Sequence, residues 1–171
     1  MKNKIHTIEV ENNETQSVEK IIEKIREKKI IYVKNKFFED EDVLNSITEN
    51  GPAIILNSSG SSGKPRKCFH HLDNLKLSAF TSGQWLIEQG FELQNCLILN
   101  TLPLNHISGL MPIFRSQTWG CDCINISPNL LKKTRELLLF TIKSKKNKKH
   151  LITSLVPVSY THLTLPTILL V

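Results

Sequence analysis

Short apolar runs alternate with amphipathic stretches along this chain, and that alternation constrains the fold more than any other feature. Residues 30–33 (IIYV), 53–56 (AIIL), 96–101 (CLILNT), 121–126 (CDCINI) and 151–156 (LITSLV) have the length and composition of buried strands. Between them the spacing turns helical. Residues 17–29 place Val18, Ile21, Ile22 and Ile25 on one face, with Glu and Lys on the other. Residues 36–50 read as a second short helix with acidic residues in its first turn, where the helix dipole favours them. Further helices are expected over 72–89, ended by Gly90, over 108–118, and over 129–143. Strands alternating with helices predict an α/β fold, with a layered, mostly parallel sheet and flanking helices. No internal repeat is present. The lysine run 144–150 reads as a solvated turn between helix and strand.

The chain's 171 residues fit one ordinary domain or a piece of a larger one. Charge is unevenly spread: residues 1–50 carry 9 basic and 11 acidic side chains, the remainder 13 and 5. A basic second part suits an anionic partner, either a nucleic acid or a small molecule such as a nucleotide triphosphate. With aromatics at 6%, the stacking platforms of a single-strand binder are hard to build. Cys68, Cys96, Cys121 and Cys123 include only one close pair, and a lone C-x-C lacks the second pair of a zinc site, so free thiols and no metal site are expected. The N-terminal residues lack the apolar core of a signal peptide, and no run approaches the ~20 apolar residues of a membrane span. These features give the expectation of a cytoplasmic protein.

The chemistry concentrates in Ser58-Ser59-Gly60-Ser61-Ser62-Gly63-Lys64-Pro65-Arg66. This stretch follows an apolar strand and is read as leading to a helix. Gly60 and Gly63 let backbone N–H groups turn toward one anion. Ser58, Ser59, Ser61 and Ser62 add hydroxyl donors, and Lys64 and Arg66 add charge, with Arg66 able to fork two oxygens. It is not a P-loop, because only two residues separate Gly60 from Gly63 and Pro65 follows the lysine.

This pattern resembles the phosphate loop of the adenylate-forming enzymes, the acyl-CoA synthetases and their relatives. Ser58 through Pro65 match position by position, Arg66 stands for the usual Lys, and Lys67 replaces the usual Gly. Leu102-Pro103-Leu104-Asn105-His106-Ile107-Ser108-Gly109-Leu110 resembles a second family segment, with Asn105 where an aromatic is usual. The resemblance implies that His106 lies at the pocket for the carboxylate substrate, with Ser108 and Gly109 opening a helix beside it. His-Ile-Ser-Gly-Leu, followed by Arg115-Ser116 and Gly120, looks most like the o-succinylbenzoate–CoA ligases of menaquinone and phylloquinone synthesis. Arg115 is a candidate for holding a second substrate carboxylate or for anchoring the helix. The implied activity uses ATP, Mg2+ and CoA: a carboxylic acid is adenylated, then passed to the CoA thiol. Partners are small molecules, without nucleic acid or a membrane span. The alternatives are a general acyl- or aryl-CoA synthetase, a non-catalytic nucleotide-binding module, and a basic nucleic-acid binder.

The resemblance runs over about residues 50–157. The family's Tyr-Gly-x-Thr-Glu segment, ribose-binding Asp and C-terminal catalytic Lys have no counterpart, so the chain reads as an inactive N-terminal piece. The organisation expected is residues 1–50 as an N-terminal helix and strand segment, 51–157 as a partial AMP-binding domain, and 158–171 as a non-native tail. That tail, VSYTHLTLPTILLV, lacks Lys, Arg, Asp and Glu. Through Thr167 it reads codon for codon like a translated transposase-type sequencing adapter. An index would supply Ile168-Leu169-Leu170, and the resumed adapter Val171 and a stop.

Overall fold

The computed structural model describes residues 4–11, 15–37, 51–58, 66–127, 129–130, 133–145 and 149–155. The first unit runs β1 (Ile5–Val10), α1 (Thr15–Arg26), β2 (Ile30–Asn35), β3 (Ala53–Ser58), β4 (Arg66–His71) and α2 (Leu72–Glu88). A 3-10 turn (Leu93–Asn95) then leads to β5 (Cys96–Asn100), α3 (Ile107–Trp119), β6 (Asp122–Asn125), α4 (Thr134–Lys145) and β7 (His150–Ser154). The α/β expectation holds, but the strands form two sheets. One has the order β1-β2-β3-β4, with β1, β2 and β3 parallel and β4 antiparallel to β3. The other, β6-β5-β7, is parallel throughout. The expected 36–50 helix and the 158–171 tail fall largely or wholly outside the described residues.

β2 is apolar on both sides, which is why its sequence shows no alternation. Ile31 and Val33 join Ile54 and Leu56 of β3 on the face that meets the helices, while Ile30, Tyr32 and Ile55 occupy the opposite face with Ile5 and Phe69. On the helix side α1 buries Ile21 completely and packs Val18, Ile22 and Ile25 beside it. The helix ends at Arg26, and Lys28, with φ of 55° in the left-handed region, turns the chain toward β2. Burial of such aliphatic side chains stabilises the fold by about 1.5–3 kcal/mol each.

Helix α3 belongs to both units. Leu110, Ile113 and Phe114 enter the core of the first sheet, while the same helix packs on β5 and β6. Its partner α2 is held by the Trp119 indole, which donates from Nε1 to the Ala79 carbonyl at 2.7 Å. Gly83 makes room for that ring: a Cβ there would lie 2.6 Å from Trp119 Nε1. Gly120, at φ 67°, ends α3 and turns the chain into β6.

Candidate functional site

The phosphate-loop region is a hairpin, not a strand-to-helix turn. β3 and β4 pair antiparallel from Ala53↔His71 to Ser58↔Arg66, so Ser58 and Arg66 stand opposite each other at the two feet of the connecting segment. Ser59, Gly60, Ser61, Ser62, Gly63 and Lys64 lie outside the described residues. α2 begins at Leu72, as the sequence reading has it, but β4 stands between the loop and the helix, which the sequence reading did not foresee. The reason is β4 itself, whose polar RKCFHH sequence carries no apolar alternation and is made a strand by pairing with β3.

The feet of the hairpin are braced on the sheet. Lys67 is opposite Asn57 in the register. Asn57 donates from Nδ2 to the Tyr32 hydroxyl at 2.8 Å, and Lys67 Nζ stands 5.0 Å from the centre of the Tyr32 ring. Tyr32 is buried in the face shared with Ile55 and Phe69. Lys67 is thus anchored to the sheet, while Arg66, the next residue, is exposed at the foot of the loop.

The second candidate cluster is the turn between β5 and α3. His106 is the N-cap of α3, with extended backbone angles and no side-chain capping bond. Its carbonyl accepts from Gly109 N–H at 3.0 Å and Leu110 N–H at 3.1 Å, while its imidazole is exposed, 3.5 Å from Asn105 Nδ2. Gly109 is required by close approach: a Cβ would sit 2.1 Å from the Pro103 carbonyl oxygen. Ser108 is exposed in the first turn.

Arg115 is half-buried, and its Nε is buried without a hydrogen-bond partner among the described residues. Burial lowers its affinity for the proton below the usual guanidinium value. It lies nine residues beyond His106, which is about 13 Å along the helix axis and about half a turn round. The helix therefore brings Arg115 to the side of Ser108, not of His106.

Asn100 organises this turn, and the sequence reading passed over it as the end of an apolar strand. It is wholly buried. Its Nδ2 donates to the Gly109 carbonyl at 2.8 Å and to Asn125 Oδ1 at 2.7 Å, and its Oδ1 accepts from Leu102 N–H at 3.2 Å. One amide thus ties the end of β5 to the first turn of α3 and the end of β6. The available signal was a carboxamide closing a run of four apolar residues, since a buried amide must find partners.

Cys68, Cys96, Cys121 and Cys123 are in no disulfide, and among the described residues no group of three His, Cys, Asp or Glu could hold a metal ion. Burial, with Cys121 nearby, pushes the Cys123 thiol up to about 12. No helix among the described residues is long and apolar enough to cross a membrane.

No family model and no curated protein matches the chain. Solved structures do. A double mutant of o-succinylbenzoate CoA synthetase from Bacillus subtilis, bound with a product analogue, matches with a TM-score of 0.60 at 17% identity, over 96% of this chain and 41% of that one. The B. subtilis enzyme in complex with AMP matches at 0.59 and 18% identity, over 97% and 52%. Its complex with ATP and magnesium ion matches at 0.54 and 15%, over 94% and 52%. The chain has the fold of part of these synthetases and spans about half of their length or less.

Proposed function

We propose that this chain is part of an ATP-dependent acid–CoA ligase. The reading is supported chiefly by one observation. A Ser/Gly-rich segment with the phosphate-loop pattern connects two antiparallel strands, in a chain whose fold is that of part of the B. subtilis synthetases. Arg66 would meet the nucleotide phosphates from the second foot of the hairpin, with Ser58 at the first and the residues 59–64 between them supplying hydroxyls, backbone N–H groups and the Lys64 charge. Lys67 holds that foot against Tyr32, so Arg66 is offered from a fixed backbone. Mg2+ would arrive with the phosphates, as it commonly does. ATP supplies the activating group for a carboxylate. The chain's own contribution is to bind and orient its phosphates and to offset their charge.

The acid would lie near the turn capped by His106. There an exposed imidazole and the first N–H groups of α3 favour an anion. Within the ligases we favour o-succinylbenzoate as the acid, on the His106–Leu110 block and Arg115. Because Arg115 stands about half a turn from the His106 side, its role toward a second carboxylate requires the substrate to reach round the first turns of α3. The same-class alternative is a general acyl- or aryl-CoA synthetase.

The test is acid-dependent exchange of pyrophosphate into ATP. A longer protein containing this chain should catalyse it, with o-succinylbenzoate preferred over benzoate, and residues 1–171 alone should not. Arg66→Ala should slow the exchange about tenfold or more, the loss of one charge-assisted contact. An unchanged rate would remove Arg66 from the phosphate site. An Arg115→Ala protein that keeps its preference between the two acids would remove Arg115 from substrate recognition.

A further inference from the structure

Asn100, Asn125 and Ser154 stand in register at the carboxyl ends of β5, β6 and β7. Register neighbours on parallel strands share a face, and open parallel sheets gather ligands outside the carboxyl ends of their strands. Asn100, the central member of the row, is wholly buried. A buried carboxamide costs free energy unless its hydrogens and its oxygen are engaged. Here Nδ2 donates to the Gly109 carbonyl and to Asn125 Oδ1, and Oδ1 accepts from Leu102 N–H.

These bonds bracket the turn that carries His106. Leu102 stands at its start and Gly109 in the first turn of α3, so one side chain grips both ends of the segment between them. α3 has particular need of that grip. Pro112 lies inside the helix and has no N–H for the Ser108 carbonyl, so a bond that would join the first turn to the second is missing. The aim of the first turn is therefore set from outside the helix, by Asn100 and by the Pro103 backbone against which Gly109 is packed. Asn125 in turn decides which way the Asn100 amide faces, because its Oδ1 takes one of the two Nδ2 hydrogens.

On the reading that the acid lies at this turn, we infer that Asn100, oriented by Asn125, is a positioning residue for the acid. Being wholly buried, it acts through the turn, by holding His106 and the first N–H groups of α3 in one place, and not by contact with the substrate.

Thr101 supplies the comparison. It is also buried and lies in the same segment, but its Oγ1 donates to the Ser154 carbonyl at 3.2 Å, away from α3. Thr101→Val thus removes a bond of that segment without releasing the helix. In a longer protein containing this chain, pyrophosphate exchange is followed against acid and against ATP separately. Asn100→Asp keeps the acceptor for Leu102 N–H and loses the donor to Gly109. It should raise the KM for the acid about fivefold or more, the effect of one lost hydrogen bond, with the KM for ATP within about twofold. Asn125→Ala, at a half-buried site, should raise the acid KM in the same sense, and it carries the test if Asn100→Asp does not fold. Thr101→Val should lower the melting temperature and leave both KM values unchanged. In 15N spectra of the chain itself, Asn125→Ala should move the Gly109 and Leu110 amides more than Thr101→Val does. An acid KM unchanged in the asparagine variants, a KM for ATP that rises equally, an equal loss of the acid in Thr101→Val, or unmoved Gly109 and Leu110 amides would overturn the inference alone. An unsubstituted protein without acid-dependent exchange would contradict the reading beneath it, and the inference with it.

Discussion

At the scale of single residues, two buried groups carry more than their size suggests. Gly109 leaves no space for a methyl group, because the Pro103 carbonyl lies where its Cβ would be. Gly109→Ala should therefore destabilise the protein by about 2–3 kcal/mol, as overpacking against backbone does, read as a fall in the urea midpoint. Asn100→Leu should cost about as much, since it strands the Leu102 N–H, the Gly109 carbonyl and the Asn125 amide. His70 adds a pH dependence. Burial holds its imidazole below the usual value, so the unfolded chain takes up that proton at higher pH than the folded one. Its contribution is complete above the unfolded value of about 6.5 and is lost as pH falls through that value toward the folded one. Urea midpoints should drop on acidification over this window, and His70→Asn should flatten the decline. Reactivity should be ordered as well: at pH 8 the Cys123 thiol, held near 12, should alkylate more slowly than Cys68, as peptide mass mapping would show.

At the scale of elements, what the sequence made legible follows from where each element gets its pattern. β2, β3 and β5 are buried on both faces, and their unbroken apolar runs identify them without help from neighbours. α1 is equally plain, because Val18, Ile21, Ile22 and Ile25 fall on one face. β4 was not legible: Arg66, Lys67, His70 and His71 give it no apolar period, and only its ladder to β3 makes it a strand. β1 was missed for a related reason, since Ile5, Ile8 and Val10 do not alternate strictly and the parallel pairing with β2 sets their register. The Ser/Gly-rich segment was misplaced in its setting: the sequence reading set it between a strand and a helix, whereas it connects β3 to β4, and a hairpin and a strand-to-helix turn can share the same local glycines. Brace residues such as Tyr32, contributed by another strand, have no local signature at all. Tyr32→Phe should remove the bond from Asn57 at a cost of about 1 kcal/mol, and Tyr32→Leu should cost more because the Lys67 contact goes too.

At the scale of the whole molecule, two sheets share the α2–α3 layer, and the two candidate clusters lie on different units of it. The hairpin belongs to the first sheet and the His106 turn to the end of β5 in the second. In the proposed function the first would hold phosphates and the second an acid, with α3 packed against both sheets. The central claim is that the β3–β4 hairpin binds nucleotide phosphates. The most direct measurement is a titration of the 15N-labelled chain with magnesium ATP, followed by amide chemical shifts. The account predicts weak, saturable shifts concentrated from Ser58 to Arg66, reduced in Arg66→Ala. Amides of that segment that stay unmoved at millimolar nucleotide, or shifts that gather elsewhere and ignore Arg66→Ala, would contradict it.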